Sequence, residues 1–356
     1  MNSVLVSCGM LGLGTLAKGD TPAGQPVKAA FIYVSPVTDA GWTRSHDDGR
    51  KAMAQLPYVE TTFRASVPET SDVESVLNDL VRQGCNVIFT TSYGFRDATL
   101  RAAKRNPDAI FLHCSGSQTS KNAGTYFGHM YQPRYVSGIV AGRMTKSNRL
   151  GFVAAYPIPE VIRGINAFTL GVRAVNPQAK VHVVWTQTWF DPVQERAAAE
   201  KLLDLGADVI AQHQDSTGPQ QAAEARGRYS IGYNMDMSAH APKAHLTAAV
   251  WNWGIYYRQV AEQVHRGTWK PEQYWGTMAT GIVGLSLYGP MVPQRVRDEA
   301  DAAKAKILSG AWDVFHGPIL DQGGQVRVAE GAKMSDAELL AMNWFVDGVV
   351  GGGTSP

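Results

Sequence analysis

The chain is poor in cysteine, balanced in charge and without a long apolar run, and each shortage closes off a class of function. Only Cys8, Cys85 and Cys114 occur in 356 residues. Cys85 stands before the apolar run "NVIFTT", and Cys114 ends "AIFLHC". If these runs are neighbouring parallel strands, the two sulfurs lie at opposite edges of the sheet, roughly 15 Å apart at ~3.3 Å per residue. A disulfide needs Cα atoms within ~7 Å, so none is expected. A formal charge of +2 gives no electrostatic reason to expect nucleic acid or an acidic partner. Beyond the first twenty residues no apolar run reaches the ~18 residues a membrane-spanning helix needs. The composition, 44% apolar and 18% charged, is that of a globular protein, and the length calls for two domains or one large one.

Catalytic signatures are equally scarce. "GLGTLA" (residues 12–17) fits G-x-G-x-x-A but precedes the first apolar strand, whereas a dinucleotide site needs strand, glycine turn and helix in that order. There is no Walker A motif, no G-x-S-x-G elbow and no HExxH. His240 and His245 are the closest histidine pair, five residues apart around a proline, which suits neither i, i+4 metal ligation nor a zinc knuckle. "HDD" (His46–Asp48) falls early in an expected helix, where carboxylates favour the helix dipole and face water. No cofactor or metal is expected, and no acid, base or nucleophile stands out.

What is present is a repeated strand-then-helix rhythm. Strands are expected at 29–34, 59–65, 86–91, 109–114 and 125–130, then again at 150–155, 180–186, 208–212 and 230–233. Amphipathic stretches separate them, such as 72–83 with Val73, Val76, Leu77 and Leu80 on one face. Further helices are expected at 133–146, 160–175, 192–205, 220–226, 254–266 and 293–309, with a β-rich end around "GPILDQGGQVRV". Short continuous apolar strands alternating with such helices imply parallel sheets covered on both faces. The expectation is an α/β protein of two doubly wound parallel-sheet lobes joined by a hinge. Residues 27–132 plus about 250–320 would form lobe 1, and 133–249 plus C-terminal elements lobe 2. Residues 1–26 read as an export-signal remnant and linker. "LVSC" (Leu5–Cys8) matches a bacterial lipobox, although the basic region that precedes such a box is missing. "GGGTSP" reads as a disordered tail.

The unusual feature is where the large rings fall. Trp42 ends the first βα loop, and Tyr93 and Phe95 follow the third strand. Trp189 and Phe190 sit in "WTQTWFDP", and Trp251 and Trp253 in "AAVWNWG". Open α/β sheets bind ligands beyond the carboxyl ends of their strands. For one ring, packing of its loop is the simpler account. Rings on four loops at the same sheet edge point to a stacking site for a flat ligand, each aromatic pair contributing about 0.5–1.5 kcal/mol beyond area burial. Directional groups would come from Asn234 and Asp236 in "IGYNMDM", whose amide and carboxylate can donate to and accept from a ring edge. "DSTG" (Asp215–Gly218) is either a further polar contact or a plain helix cap.

Several segments together resemble the basic membrane protein family, solute-binding lipoproteins of ABC transporters that include bacterial purine nucleoside receptors. They are "FIYVSPVTDAGWTRSHDDGRKAM", "GFRDATLRAAKRNPDAIFLHCSG", "YVSGIVAGRMTKSNRLGFVAA", "VIRGINAFTLGVRAVNP", "TWFDPVQERAAAEKLLDLGADVIAQHQDSTG" and "IGYNMD", within about residues 27–320. The resemblance implies a type I periplasmic-binding-protein-like fold. It implies Trp42 on one face of a purine, Trp189 on the other, and Asp236, less directly Asn234, on the base or sugar. Tyr93 and Phe95 would border the pocket, and Trp251 and Trp253 would narrow a sugar subsite if they face the cleft; by position alone, Asp39 and Gly41 would shape the turn before Trp42. Thr43, where the family has another residue after its aromatic, and Gly218 complete the implied set. The implied ligand is a purine nucleobase or nucleoside and the implied partner a membrane ABC permease, which reads the closed shape of the protein outside the cytoplasm. A monomer, periplasmic or lipid-anchored, is expected. A sensory domain of the same architecture, a sugar binder, and a nucleoside hydrolase using Asp39, Asp215 or Asp236 stay open at this stage.

Overall fold

The computed structural model describes residues 24–70 and 72–351. Cys8 with its lipobox-like setting, "GLGTLA" and residues 352–356 lie outside the described residues.

The first lobe is built by β1 (Val27–Ile32), α1 (Trp42–Met53), β2 (Val59–Arg64), α2 (Val73–Arg82), β3 (Val87–Thr90), α3 (Arg96–Arg105), β4 (Ile110–Cys114) and β5 (Ala123–Gly128). The second continues through α4 (Tyr131–Met144), β6 (Arg149–Ala154), α5 (Pro159–Val175), β7 (Lys180–Trp185), α6 (Pro192–Asp204), β8 (Val209–His213), α7 (Gly218–Ala225), β9 (Tyr229–Asn234) and β10 (His245–Trp251). The chain then returns to the first lobe with α8 (Trp253–His265) and β11 (Gln273–Gly276). It crosses back with β12 (Val283–Leu285), α9 (Gln294–Leu308), the hairpin β13 (Ile319–Leu320) and β14 (Val326–Val328), α10 (Asp336–Leu340) and β15 (Val349–Val350).

The six-stranded first sheet runs β11-β5-β4-β3-β1-β2, and all its pairs are parallel. The seven-stranded second sheet runs β12-β10-β9-β8-β6-β7-β15, with only β12 antiparallel to its neighbour. Central strands are buried along their length, as in β3 and β4, because helices cover both faces and leave no solvent side for alternation. Phe31 and Phe89, neighbours in register, stack at 4.7 Å under α8. Asn106 and Asn176, each before a proline, cap the ends of α3 and α5, because the residue ahead of proline is steered away from helix. Cys85 and Cys114 are free and buried.

Three expectations change. The segment returning to the first sheet is narrower than residues 250–320: β12 pairs with β10, and α9 packs on α4, both in the second lobe. Trp251 lies in a strand, β10, rather than in a loop. The "HDDG" turn is not in water. His46, Asp47 and Gly49 are buried because α8 lies across α1, and only Asp48 stays exposed. Asp47 is compensated there by Arg50 at 2.7 Å and Lys51 at 2.8 Å.

Candidate functional site

Both sheets point the carboxyl ends of their strands at one cleft, which holds a narrow cavity, about 320 Å³ of empty space with its mouth to solvent included. The first lobe supplies Val34 after β1, Trp42 at the start of α1, Ser92 and Tyr93 after β3, and Ser115 after β4. The second supplies Glu160 from the first turn of α5, Trp189 after β7, His213 and Asp215 at and after the end of β8, and Tyr233 in β9. The lobes touch beside the cavity. Gly41 has φ +97°, and a Cβ there would lie 1.8 Å from the backbone oxygen of Asp215 in the other lobe. Only glycine allows both this conformation and this approach. Asp39 and His240, also from opposite lobes, stand 3.8 Å apart at the rim.

Trp42 is fixed on every side but one. Its indole N–H donates to Thr91 O at 2.7 Å. The edges of Trp251, Trp253 and His46 pack around its ring at 5.9, 5.5 and 4.4 Å between centroids. Behind it Trp253 stacks on Trp251 at 4.1 Å and on His46 at 4.4 Å, and donates to Ser45 Oγ. Full burial holds the His46 imidazole neutral, well below its ordinary pKa. Trp253 is 1% exposed and does not line the cavity, so it supports Trp42 instead of narrowing a sugar subsite. Trp189 is half-buried and held less tightly, edge-on to Tyr156 at 5.0 Å.

The second lobe brings acids. Burial pushes the Glu160 carboxyl up to about 7, against the pull of the Ser115 hydroxyl in the first lobe and of Arg163. Burial, with Glu195 nearby, also raises Asp215 well above the usual carboxylate range. The Asn234 amide stands 3.4 Å from Asp215 Oδ1 and 3.4 Å from Gln214 O. Its backbone is in the left-handed region, φ +73°. His213 is kept neutral by burial and by Arg134 and Arg163; its Nε2 lies 3.3 Å from the Tyr233 hydroxyl, and its Nδ1 has no partner. Arg134 backs Tyr233, its guanidinium 3.9 Å from the ring centre, and donates to Gln212 O at 2.7 Å.

Of the residues singled out from sequence, Trp42, Trp189 and Tyr93 line the cavity, and Asn234 lies one layer behind it. Phe95 does not: it is fully buried in the core between the first sheet and its helices. Asp236 does not either. Its exposed carboxylate accepts from Ser238 N at 2.8 Å and lies 3.6 Å from His245, because the left-handed turn at Asn234 carries the chain away. Thr43 is buried and shares a hydrogen bond of 2.6 Å with Ser35 Oγ, bracing the first loop. Asp39 and Gly218 line a separate open groove at the rim. Glu160, His213, Ser115 and Tyr233 were not singled out, although each stands at the carboxyl end of a strand or just past one. A search of those loops for acids as well as rings would have found Glu160. No group of His, Cys, Asp and Glu among the described residues is arranged to hold a metal ion.

Two parallel-sheet lobes closed on a small cavity at their strand ends, with three crossings between them, define a two-lobed solute-binding protein. The family model for PnrA-like ABC transporter substrate-binding proteins, Bmp, matches residues 26–314, and the chain belongs to that family. It is 41% identical to a purine-binding protein of Brucella abortus over 94% of this chain and 96% of the other. It is 38% identical to a putative ABC transporter glucose-binding protein of Haloferax volcanii over 94% of this chain and 83% of that one. In fold it is similar to an ABC transporter solute-binding protein from Aeropyrum pernix, with a TM-score of 0.70 and 18% identity over 89% of this chain and 98% of the other. The protein is therefore a substrate-binding component of an ABC transporter and not an enzyme. Its family implies a small-molecule ligand, a permease partner and an extracytoplasmic place of work.

Proposed function

We propose that the protein binds a purine, as base or nucleoside, in the cavity between Trp42 and Trp189 and delivers it to an ABC permease. The observation that carries this reading is that each lobe contributes one tryptophan to the same closed cavity. A flat ligand between two such rings gains stacking from both lobes only when they are closed, and that differential affinity drives hinge closure. The relative named for purine binding supports the same ligand class. Tyr93 borders the ligand at the cavity wall, and Asn234 acts through Asp215.

A sugar is the second reading, favoured by the relative named for glucose binding and by the ability of flat aromatic faces to cover sugar rings. A thermal-shift panel of purine bases, nucleosides and sugars decides between them. A ligand at 100 times its Kd adds about 2.7 kcal/mol of stability. A shift with purines and none with glucose is expected, and the converse overturns the purine reading. Lipidation at Cys8 would anchor the protein at the outer face of the cytoplasmic membrane. Detergent partitioning of the native protein and of Cys8→Ala tests this, and light scattering tests its action as a monomer.

A further inference from the structure

Among the described residues the cavity wall carries several hydrogen-bond acceptors and no cation. Glu160 and Asp215 line it. Glu69, from the opposite lobe, accepts from Ser92 Oγ at 2.5 Å and from Gly94 N at 2.7 Å, and its charge acts on both acids. No lysine or arginine among the described residues lines the space. Two buried arginines stand behind the wall without lining it: Arg134 donates to Gln212 O, and Arg163 donates to Leu339 O while its charge acts on Glu160. Each acid also has a polar neighbour. Ser115 shares the cavity wall with Glu160 from the other lobe, and the Asn234 amide stands beside Asp215 Oδ1. Both carboxyl groups face the space and keep lone pairs beyond those their neighbours reach, so a ligand that brings N–H groups complements this wall.

The size of the cavity narrows the choice. The two lobes already meet beside it, Gly41 of one lying against the backbone oxygen of Asp215 of the other, so little free space is left between the walls. A free purine offers a ring N–H on its imidazole side as well as any amino or lactam N–H. A sugar on that nitrogen removes the donor and adds bulk between lobes that already touch at Gly41 and Asp215.

We propose, resting on the purine reading above, that Glu160 and Asp215 determine specificity by accepting hydrogen bonds from ring and exocyclic N–H groups of an unsubstituted purine base. The same base carrying a methyl group or sugar on its imidazole nitrogen is rejected. Trp42 and Trp189 then supply affinity for any flat ring, and the two acids supply selection among flat rings.

Calorimetric titration of the purified chain with adenine, hypoxanthine, 9-methyladenine and adenosine tests this, alongside Glu160→Gln and Asp215→Asn. Adenine or hypoxanthine should bind at least 100-fold more tightly than 9-methyladenine or adenosine. Each substitution should weaken base binding at least tenfold and shrink the gap between adenine and 9-methyladenine. The melting point of each ligand-free variant checks that it is folded, and Glu160→Asp, a shorter acid, replaces a variant that is not. Adenosine bound as tightly as adenine overturns the inference and leaves the purine reading standing. So does base binding within threefold of the parent in both variants. Glucose bound with no purine bound overturns the purine reading and this inference with it.

Discussion

The two walls of the cavity are built on opposite principles. The first lobe presents Trp42 against an aromatic stack in which Trp253 lies 4.1 Å from Trp251, at the edge of the second sheet, and 4.4 Å from His46. The second presents Glu160, His213 and Asp215 over a buried layer of arginine, glutamate and amide. Aromatic contacts tolerate many flat partners, whereas buried acceptors tolerate only ligands with matching donors. One wall is a rigid surface to lie against, and the other reads the ligand's edge. The division also places the costs of burial in different lobes. The first wall adds packing to the fold, and the second holds carboxyls that lose hydration when the lobes shut.

Both walls work only if the lobes meet, so the largest effect is expected at their point of contact. Gly41→Ala puts a methyl group 1.8 Å from Asp215 O, a clash that exists only in the closed form. Ligand affinity should fall more than 100-fold, about 3 kcal/mol. The strain of a side chain at φ +97° costs a further ~1–2 kcal/mol of fold stability. Small-angle scattering should show no compaction when ligand is added. Compaction equal to that of the parent would mean that the lobes close without this contact.

The next contrast is between the two tryptophans. Trp42→Ala removes a ring that is 8% exposed and packed on three others, so it should cost affinity and also about 3 kcal/mol of stability. Trp189→Ala removes a half-buried ring with one aromatic neighbour within 5.0 Å, so affinity should fall by a comparable factor with stability lowered by only about 1 kcal/mol. Urea denaturation and calorimetry, run on both variants, separate the two. Equal losses of stability would break the asymmetry drawn between the walls.

Much of this was readable from the residues, and what was not has a physical reason. Apolar runs closed by Asn-Pro or glycine turns gave the sheets and most helices, and the rule that ligands sit beyond strand ends found Trp42 and Trp189. Burial of "HDDG" could not be read locally. It depends on α8, some 200 residues later in the chain, laying Trp253 so close to Gly49 that a Cβ there would lie 2.7 Å from the Cβ of Trp253. Asp236 looked well placed because it follows a strand, but the positive φ at Asn234 redirects it. Glu160 was hidden by its ordinary setting, an acid in the first turn of a helix, where a dipole contact is reason enough for its presence.

The second wall carries a pH signature. Glu160 titrates at about 7 in the folded protein against an ordinary 4.5. Its protonated form therefore contributes stability that is fully present below about pH 4.5 and is lost as pH rises through about 7. Glu160→Gln removes that loss. Ligand-free parent and variant should be equally sensitive to urea at pH 4, and the variant should be more stable at pH 8 by about 1–2 kcal/mol, part of the shift being screened on the cavity side. A difference that does not change with pH would place the carboxyl in contact with water.

The smallest effect is expected at Asp236, and it tests where the second wall ends. The carboxylate is exposed and outside the cavity; its partners are Ser238 N at 2.8 Å and the His245 ring at 3.6 Å. Exposed pairs of this kind contribute about 0–1 kcal/mol. Asp236→Asn keeps an acceptor for Ser238 and removes only the charge, so stability should change by no more than about 0.5 kcal/mol. Base affinity should stay within twofold of the parent. A tenfold loss would show that Asp236 reaches the ligand in solution, which would move the selecting carboxylates from the end of β8 to the loop after β9 and make Asp215 a supporting residue.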